Sequence, residues 1–353
     1  MINQTDTNTE ELSFRELEED KSIPLLEIKN LRVNYRTKGK PVRAVDDVNL
    51  SIFKGDSLGL VGESGCGKST LGLAILRLLK SNGEIPTGEI ILDINGKRVD
   101  LTKLPEHQMT QIRGQFISMI FQAAQDALNP LQKIDDHLVD TLKAHFVNKN
   151  KIEGKIQQIL NDLEIPLSRL EDRPFQFSGG MQQRISIALS LILDPLLVIA
   201  DEPTTALDVL VQARILNILK ELKDRYNLSL IFISHDLGVI AELTNKIAVM
   251  YAGQIVEYGP TEVIFNDPAH PYTSGLLKAI PNILVDVRKI SSIPGTPPDL
   301  RNPPKGCRFH PRCSKARQVC IDEEPKYWYP NPHQAALCHI FNPDYNSSKE
   351  INK

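Results

Sequence analysis

The segment LVGESGCGKSTLG, residues 60–72, sets Gly62, Gly65 and Gly67 just ahead of Lys68, Ser69 and Thr70. Before it, VNLSIFKGDSLGLVG reads as strand and turn. After it, TLGLAILRLL is apolar at helical spacing. A glycine-rich turn between a strand and a helix lets successive N–H groups point into one concavity, and the helix start adds its unpaired N–H groups and positive end. Gly62, Gly67, Lys68 and Ser69 fit G-x-x-x-x-G-K-[ST]. The loop Gly62, Glu63, Ser64, Gly65, Cys66, Gly67, Lys68, Ser69, Thr70 is therefore expected to cradle nucleotide phosphates. Lys68 would reach the β- and γ-phosphates and the Ser69 hydroxyl would hold Mg²⁺. Cys66, near a helix N-terminus, is expected to lean toward the thiolate and to react with thiol reagents.

That loop belongs to a large chain. Its 353 residues suffice for a sizeable core and predict two domains. With 41% hydrophobic and 24% charged residues it has a soluble globular composition. A formal charge of −3 argues against general affinity for nucleic acid or acidic lipid. Arg77 and Asp194-Pro195 break the longest apolar runs below membrane-spanning length. The N-terminus is polar, without an apolar signal region, so a cytosolic chain is expected.

Residues 1–23 carry seven acids against two bases and predict a disordered lead-in, with EELSFRELEED as a possible short helix. From 24 to 281, strand-like and helix-like segments alternate, as in a layered α/β domain. Within it, residues 122–177 show helical patterning, as in IEGKIQQILNDLEI, and predict an inserted helical subdomain. Residues 282–353 turn rich in Pro, Arg and Cys. Regular structure is expected to be sparse there, with a metal holding the segment together.

Two further motifs point to phosphate. PLLVIADEPT reads as a buried parallel strand ending in Asp201 and Glu202, at the strand end where open α/β sheets bind ligands. Asp201 would bind Mg²⁺ and Glu202 would polarise the water attacking the γ-phosphate. QFSGGMQQR sets Ser178, Gly179 and Gly180 at the start of a helical run, a second anion site. Two phosphate-gripping loops serve one nucleotide only when they face it from opposite sides.

The order of motifs resembles the nucleotide-binding subunit of an ABC transporter: the phosphate loop, Gln122 after a strand, FSGGM, LLVIADEP, TALD from Thr205 to Asp208, His235 ending LSLIFISH, and the hairpin-like KIAVMYAGQIVEYG. The family's signature is usually LSGGQ; here Phe177 and Met181 depart from it, as in the variant common in peptide-importer subunits. The resemblance implies an ABC-type P-loop fold, α/β with a helical insertion, and a head-to-tail dimer. In that dimer Ser178, Gly179, Gly180 and Met181 of one subunit would face the ATP held by the other. It implies catalytic roles for Glu202 and His235, Mg²⁺ contacts for Ser69, Gln122 and Asp201, dimer coupling for Asp208, and adenine stacking for Tyr35. DPAHPYTSGLLKAIP and GCRFHPRC are similar to segments of dipeptide and oligopeptide importer subunits, shared with nickel and some oligosaccharide importers. The implied role is an ATP-hydrolysing motor at the cytoplasmic membrane face. Its partners would be a second ATPase subunit (itself or a paralogue), two membrane permeases and an extracytoplasmic substrate-binding protein, with no nucleic acid. The alternatives are the same motor role for nickel or oligosaccharide import, or a soluble ABC ATPase with a regulatory role.

Cys307, Cys313, Cys320 and Cys338 lack the C-x-x-C spacing of a zinc ribbon. Four thiolates suit tetrahedral Zn²⁺ or an iron–sulfur cluster, and the resemblance implies a [4Fe–4S] cluster. His310 and His339 are spare candidate ligands. Arg308, Arg312 and Arg317 are expected on a solvated or subunit-contacting face.

Overall fold

The computed structural model describes residues 23–122, 128–205, 207–279 and 293–350. The lead-in (all but Ile23) and the expected boundary at Pro281 lie outside the described residues. Strands β1 (Leu26–Tyr35), β2 (Val42–Ile52), β4 (Gly83–Ile94) and β5 (Lys97–Asp100) form an antiparallel sheet in the order β2-β1-β4-β5. The second sheet gathers β3 (Ser57–Val61), β6 (Ile117–Ile120), β7 (Leu197–Asp201), β8 (Ser229–Ile233), β9 (Lys246–Tyr251), β10 (Gln254–Pro260), β11 (Tyr327–Asn331) and β12 (Gln334–Leu337). Its order among the described residues is β11-β12-β10-β9-β3-β8-β7-β6. Strands β6, β7, β8, β3 and β9 run parallel, and the rest of the sheet continues antiparallel through β10.

The parallel strands read as continuous apolar runs because both faces are covered. Side chains alternate across a strand. Leu197, Ile199, Ile231 and Ile233 pack with Leu58 and Leu60 in the core under the antiparallel sheet. Val198, Ala200, Leu230 and Phe232 pack into the opposite core, with the helices. Each such buried Val, Leu, Ile or Phe side chain contributes about 1.5–3 kcal/mol. Between Gln122 and Phe177 the described residues hold helices Ile134–Ala144 and Lys149–Asp162, two 3₁₀ turns and no strand. Ile134, Leu138, Leu142, Ile152, Ile156 and Ile159 bury their apolar stripes at i, i+3 and i, i+4 spacing in the helix-side core.

The cysteine-bearing segment departs from expectation. It supplies β11 and β12, and β12 pairs with β10 through Glu257–Ala336 and Tyr258–Ala335, extending the main sheet. The Tyr327 hydroxyl donates to the Ile255 carbonyl at 2.6 Å. Composition concealed this hairpin because its strands are short and flanked by Pro and Asn. Nor do the arginines form a solvated face. Arg308 is buried and pairs with Asp46, donating also to the Ala252 carbonyl at 2.5 Å. Arg312 is buried against Glu63. Arg317 donates to the carbonyls of Tyr345, Asn346 and Ser348. Strand pairing and internal ion pairs thus tie this segment to the α/β domain.

Candidate functional site

The phosphate loop leaves β3 at Val61 and enters the helix Lys68–Ile75. Gly67 caps that helix with φ 113°, a conformation that strongly favours glycine, and a Cβ there would lie 2.1 Å from the Ala44 carbonyl oxygen. Gly62, at φ 149°, would set a Cβ 2.1 Å from the Met250 carbonyl oxygen. The loop is thus pressed against β2 and β9. Lys68 Nζ reaches back across it, donating to the carbonyls of Gly62 at 2.7 Å and Glu63 at 3.1 Å. Ser64 and Gly65 are exposed at its tip.

Cys66 is buried, and burial pushes its thiol pKa up despite the nearby Lys68 cation. Against the expected thiolate, desolvation outweighs the Lys68 ammonium.

Ser69, in the first turn of the helix, donates from its hydroxyl to Asp201 Oδ1 at 3.0 Å. Asp201 is the last residue of β7, buried. Burial pushes its carboxyl above the usual carboxylate range; Glu202 adds to this, while Ser69 and Lys68 oppose it. A buried carboxylate beside a hydroxyl is a hard-oxygen pair that suits Mg²⁺, and the cation would offset the desolvation recorded at Asp201.

Glu202 sits one residue beyond the strand at φ 44°, the left-handed region, with its N–H bonded to the Ile233 carbonyl at 2.9 Å. Such a conformation at a non-glycine residue is costly and persists where the surroundings enforce it. It turns the carboxylate toward three donors. Thr205 Oγ1 lies 2.9 Å and Gln122 Nε2 3.2 Å from Oε2, and His235 Nδ1 lies 3.3 Å from Oε1. The structure thus brings together Lys68, Ser69, Gln122, Asp201, Glu202 and His235. Sequence reasoning missed Thr205 as a donor here, although it stands three residues after Glu202, within reach of a tight turn.

The remaining predicted residues lie around this centre. The Tyr35 hydroxyl is 3.4 Å from Thr70 Oγ1, which sets the ring beside the phosphate-loop helix. Ser178 stands at the N-cap position of the helix Gly179–Leu191, its side chain making no capping hydrogen bond. Gly179 and Gly180 back onto Leu207 and Val211, and Met181 packs against the helix-side core. Asp208 accepts the Val211 N–H at 2.9 Å and so caps the helix Val209–Tyr226.

The tail cysteines share a neighbourhood. Cys307 N–H donates to the Cys320 carbonyl at 2.8 Å, and the nearness of Cys307, Cys313 and Cys320 adds to burial in disfavouring a Cys338 thiolate. Burial pushes the Cys307 thiol up to about 12 and raises Cys320 and Cys338 as well. Cys313 packs in the helix-side core. Yet among the described residues no group of three or more His, Cys, Asp or Glu side chains is arranged to hold a metal ion. Cys307, Cys313, Cys320 and Cys338 do not form such a group among the described residues, and burial favours the protonated thiol at Cys307, Cys320 and Cys338. Both spare histidines are engaged elsewhere, His310 with the Cys307 carbonyl and His339 with that of Glu323, each at 2.9 Å.

A strand-end Asp-Glu pair facing a Gly-Lys-Ser loop defines a P-loop nucleoside triphosphatase. The ABC transporter family matches residues 45–205, and the oligopeptide/dipeptide transporter C-terminal region matches residues 256–320. The dipeptide transport ATP-binding protein DppD of Caldanaerobacter subterraneus is 42% identical over 320 residues, covering 90% of this chain and 97% of that protein. The oligopeptide transport ATP-binding protein OppD of Escherichia coli is 42% identical over 313 residues, covering 88% and 91%. The dimeric structure of a bacterial ABC transporter cassette superposes with a TM-score of 0.58 at 26% identity, over 67% of this chain and 98% of that one. The chain belongs to the ABC transporter ATPase family, in the branch that carries the oligopeptide/dipeptide transporter C-terminal region. Among the described residues no helix is long and apolar enough to cross a membrane.

Proposed function

We propose that this chain is the ATP-hydrolysing subunit of an importer of dipeptides or oligopeptides, working at the cytoplasmic membrane face through separate permease subunits. One observation carries the hydrolytic part: the Glu202 carboxylate is held by Thr205, Gln122 and His235 beside the Ser69–Asp201 pair. The phosphate loop binds the triphosphate, with Lys68 as its cation. Ser69, Asp201 and Gln122 would hold Mg²⁺, which supplies charge neutralisation across the β- and γ-phosphates. Glu202 takes a proton from the attacking water. His235 orients that water and contacts the γ-phosphate. Tyr35 stacks on the adenine. Ser178, Gly179, Gly180 and Met181 close over the nucleotide of a partner ATPase subunit, and Asp208 couples the two sites.

The peptide substrate is supported by the relatives' stated roles and by the matching C-terminal region; nickel and oligosaccharide import are the competing readings. An extracytoplasmic binding protein would deliver the substrate. A [4Fe–4S] cluster or Zn²⁺ on the tail cysteines rests on family resemblance and on four thiols sharing one neighbourhood. Iron, zinc and acid-labile sulfide measured on anaerobically purified chain decide that point. For transport, the chain is reconstituted in vesicles with the permeases that co-purify with it. Peptide-stimulated ATP hydrolysis with peptide uptake is expected. Stimulation by nickel or oligosaccharide alone would refute the peptide assignment.

A further inference from the structure

Glu63 sets a carboxylate in the loop read above as gripping phosphates, and the inference rests on that reading. From Gly62 to Ser69 the loop carries one cation, Lys68, and one anion, Glu63. Left alone, the two cancel, and a triphosphate would meet an acidic side chain at the mouth of its own cradle.

The compensating charge comes from the tail. Arg312 Nη1 lies 2.6 Å from Glu63 Oε2 and Nη2 lies 2.9 Å from Oε1, a bidentate fork. The Arg312 side chain is 5% exposed and that of Glu63 26%, so solvent screens the pair weakly. The guanidinium is itself fixed. Its Nε donates to the Pro294 carbonyl at 2.8 Å, and its carbon lies 5.8 Å from the centre of the Tyr251 ring. The main chain of Glu63 is held as well: its N–H donates to the Tyr272 hydroxyl at 2.8 Å. Tyr272 is fully buried, its ring centroid 4.5 Å from Tyr251 and 5.4 Å from Phe309. Side chain and backbone of one phosphate-loop residue are thus gripped by residues 249 and 209 positions away.

We propose that Arg312 is a positioning residue for nucleotide binding: it neutralises Glu63, so that the loop presents the Lys68 charge to the triphosphate. The tail is then part of the nucleotide site. This role differs from simple tail packing in one respect. Removing the Glu63 charge compensates for losing Arg312 only when neutralisation is what Arg312 supplies.

The test measures MgATP affinity of the full-length chain by calorimetry. Arg312→Ala is expected to weaken binding about tenfold, the scale of one lost charge-assisted contact. Adding Glu63→Gln to it restores affinity to within about threefold of wild type, by the same reckoning. Arg312→Gln, which keeps the size and a donor, shows the same loss and serves if the alanine variant does not fold. Arg317→Ala loosens the tail elsewhere and leaves ATP affinity unchanged. The proposal is overturned if Arg312→Ala and Arg312→Gln bind like wild type, if the double variant binds no better than Arg312→Ala, or if Arg317→Ala weakens binding equally. Lys68→Ala reports separately on the loop: wild-type affinity there would sink the site reading itself, whatever Arg312 does.

Discussion

Replacing Glu202 by glutamine tests the catalytic centre with little geometric disturbance. Oε2 of Glu202 accepts from Thr205 Oγ1 at 2.9 Å and from Gln122 Nε2 at 3.2 Å, while Oε1 faces His235 Nδ1 at 3.3 Å. An amide can keep its oxygen toward Thr205 and Gln122 and turn its NH₂ toward His235 Nδ1, which accepts in one of its tautomers. All three contacts then survive, and so does the backbone bond to Ile233 that holds φ at 44°. Proton affinity is what disappears, because an amide does not accept a proton from water near neutral pH. General-base catalysis is worth about 10²–10⁴ in rate, so kcat should fall by at least about a hundredfold, a barrier rise of about 3 kcal/mol or more. ATP affinity should stay within about threefold, since no contact assigned to the triphosphate is touched. Single-turnover hydrolysis and calorimetric ATP binding read the two quantities independently. A kcat within tenfold of wild type would refute Glu202 as the base. Loss of ATP binding would refute the claim that the amide fits.

Gly67→Ala forces a Cβ to within 2.1 Å of the Ala44 carbonyl oxygen at φ 113°. It should cost about 3 kcal/mol or more of stability and abolish ATP binding, read by urea unfolding and calorimetry; near-wild-type values would mean the loop is held less rigidly than described. His270 is fully buried, its Nδ1 accepts the Tyr272 N–H at 3.0 Å, and burial depresses its pKa to about 3 from an ordinary 6.5. The unfolded chain therefore binds a proton that the folded chain refuses. The contribution of His270 is fully present above about pH 6.5 and is lost as pH falls toward 3, by at most about 1.4 kcal/mol per pH unit. His270→Asn, which keeps a helix-capping acceptor, should lose less stability between pH 6.5 and 4.5 in urea titrations; parallel losses would contradict a neutral buried imidazole. Cys66 is buried and its thiol pKa raised, so a thiol reagent at pH 8 should label it at least about tenfold more slowly than a free cysteine peptide. Fast labelling blocked by ATP would restore the reactive thiolate expected from the sequence.

Burial also explains why the tail was the least legible part of the chain. Its cysteines, prolines and arginines suggest a metal-held, solvated appendage. Instead Arg308 lies inside against Asp46, Arg312 inside against Glu63, and β12 continues the sheet from β10. Each of these partners is more than 70 positions away in sequence, beyond the reach of any local pattern.

The local order of this protein was determined by sequence alone. Glycines at 62 and 67 between an apolar strand and an apolar helix leave few alternatives for residues 60–72, because backbone sterics and the unpaired N–H groups of a helix start act within one turn. The run LLVIA ending in Asp201 and Glu202 marks a buried strand with its acids at the ligand end. Tertiary structure decided which charges meet. It placed Ser69 on Asp201, turned Glu202 to Thr205, Gln122 and His235, set Arg312 on Glu63, and desolvated Cys66. The physical reason is range: backbone geometry is local and leaves a pattern, whereas ion pairing and desolvation depend on neighbours that only the packed fold supplies.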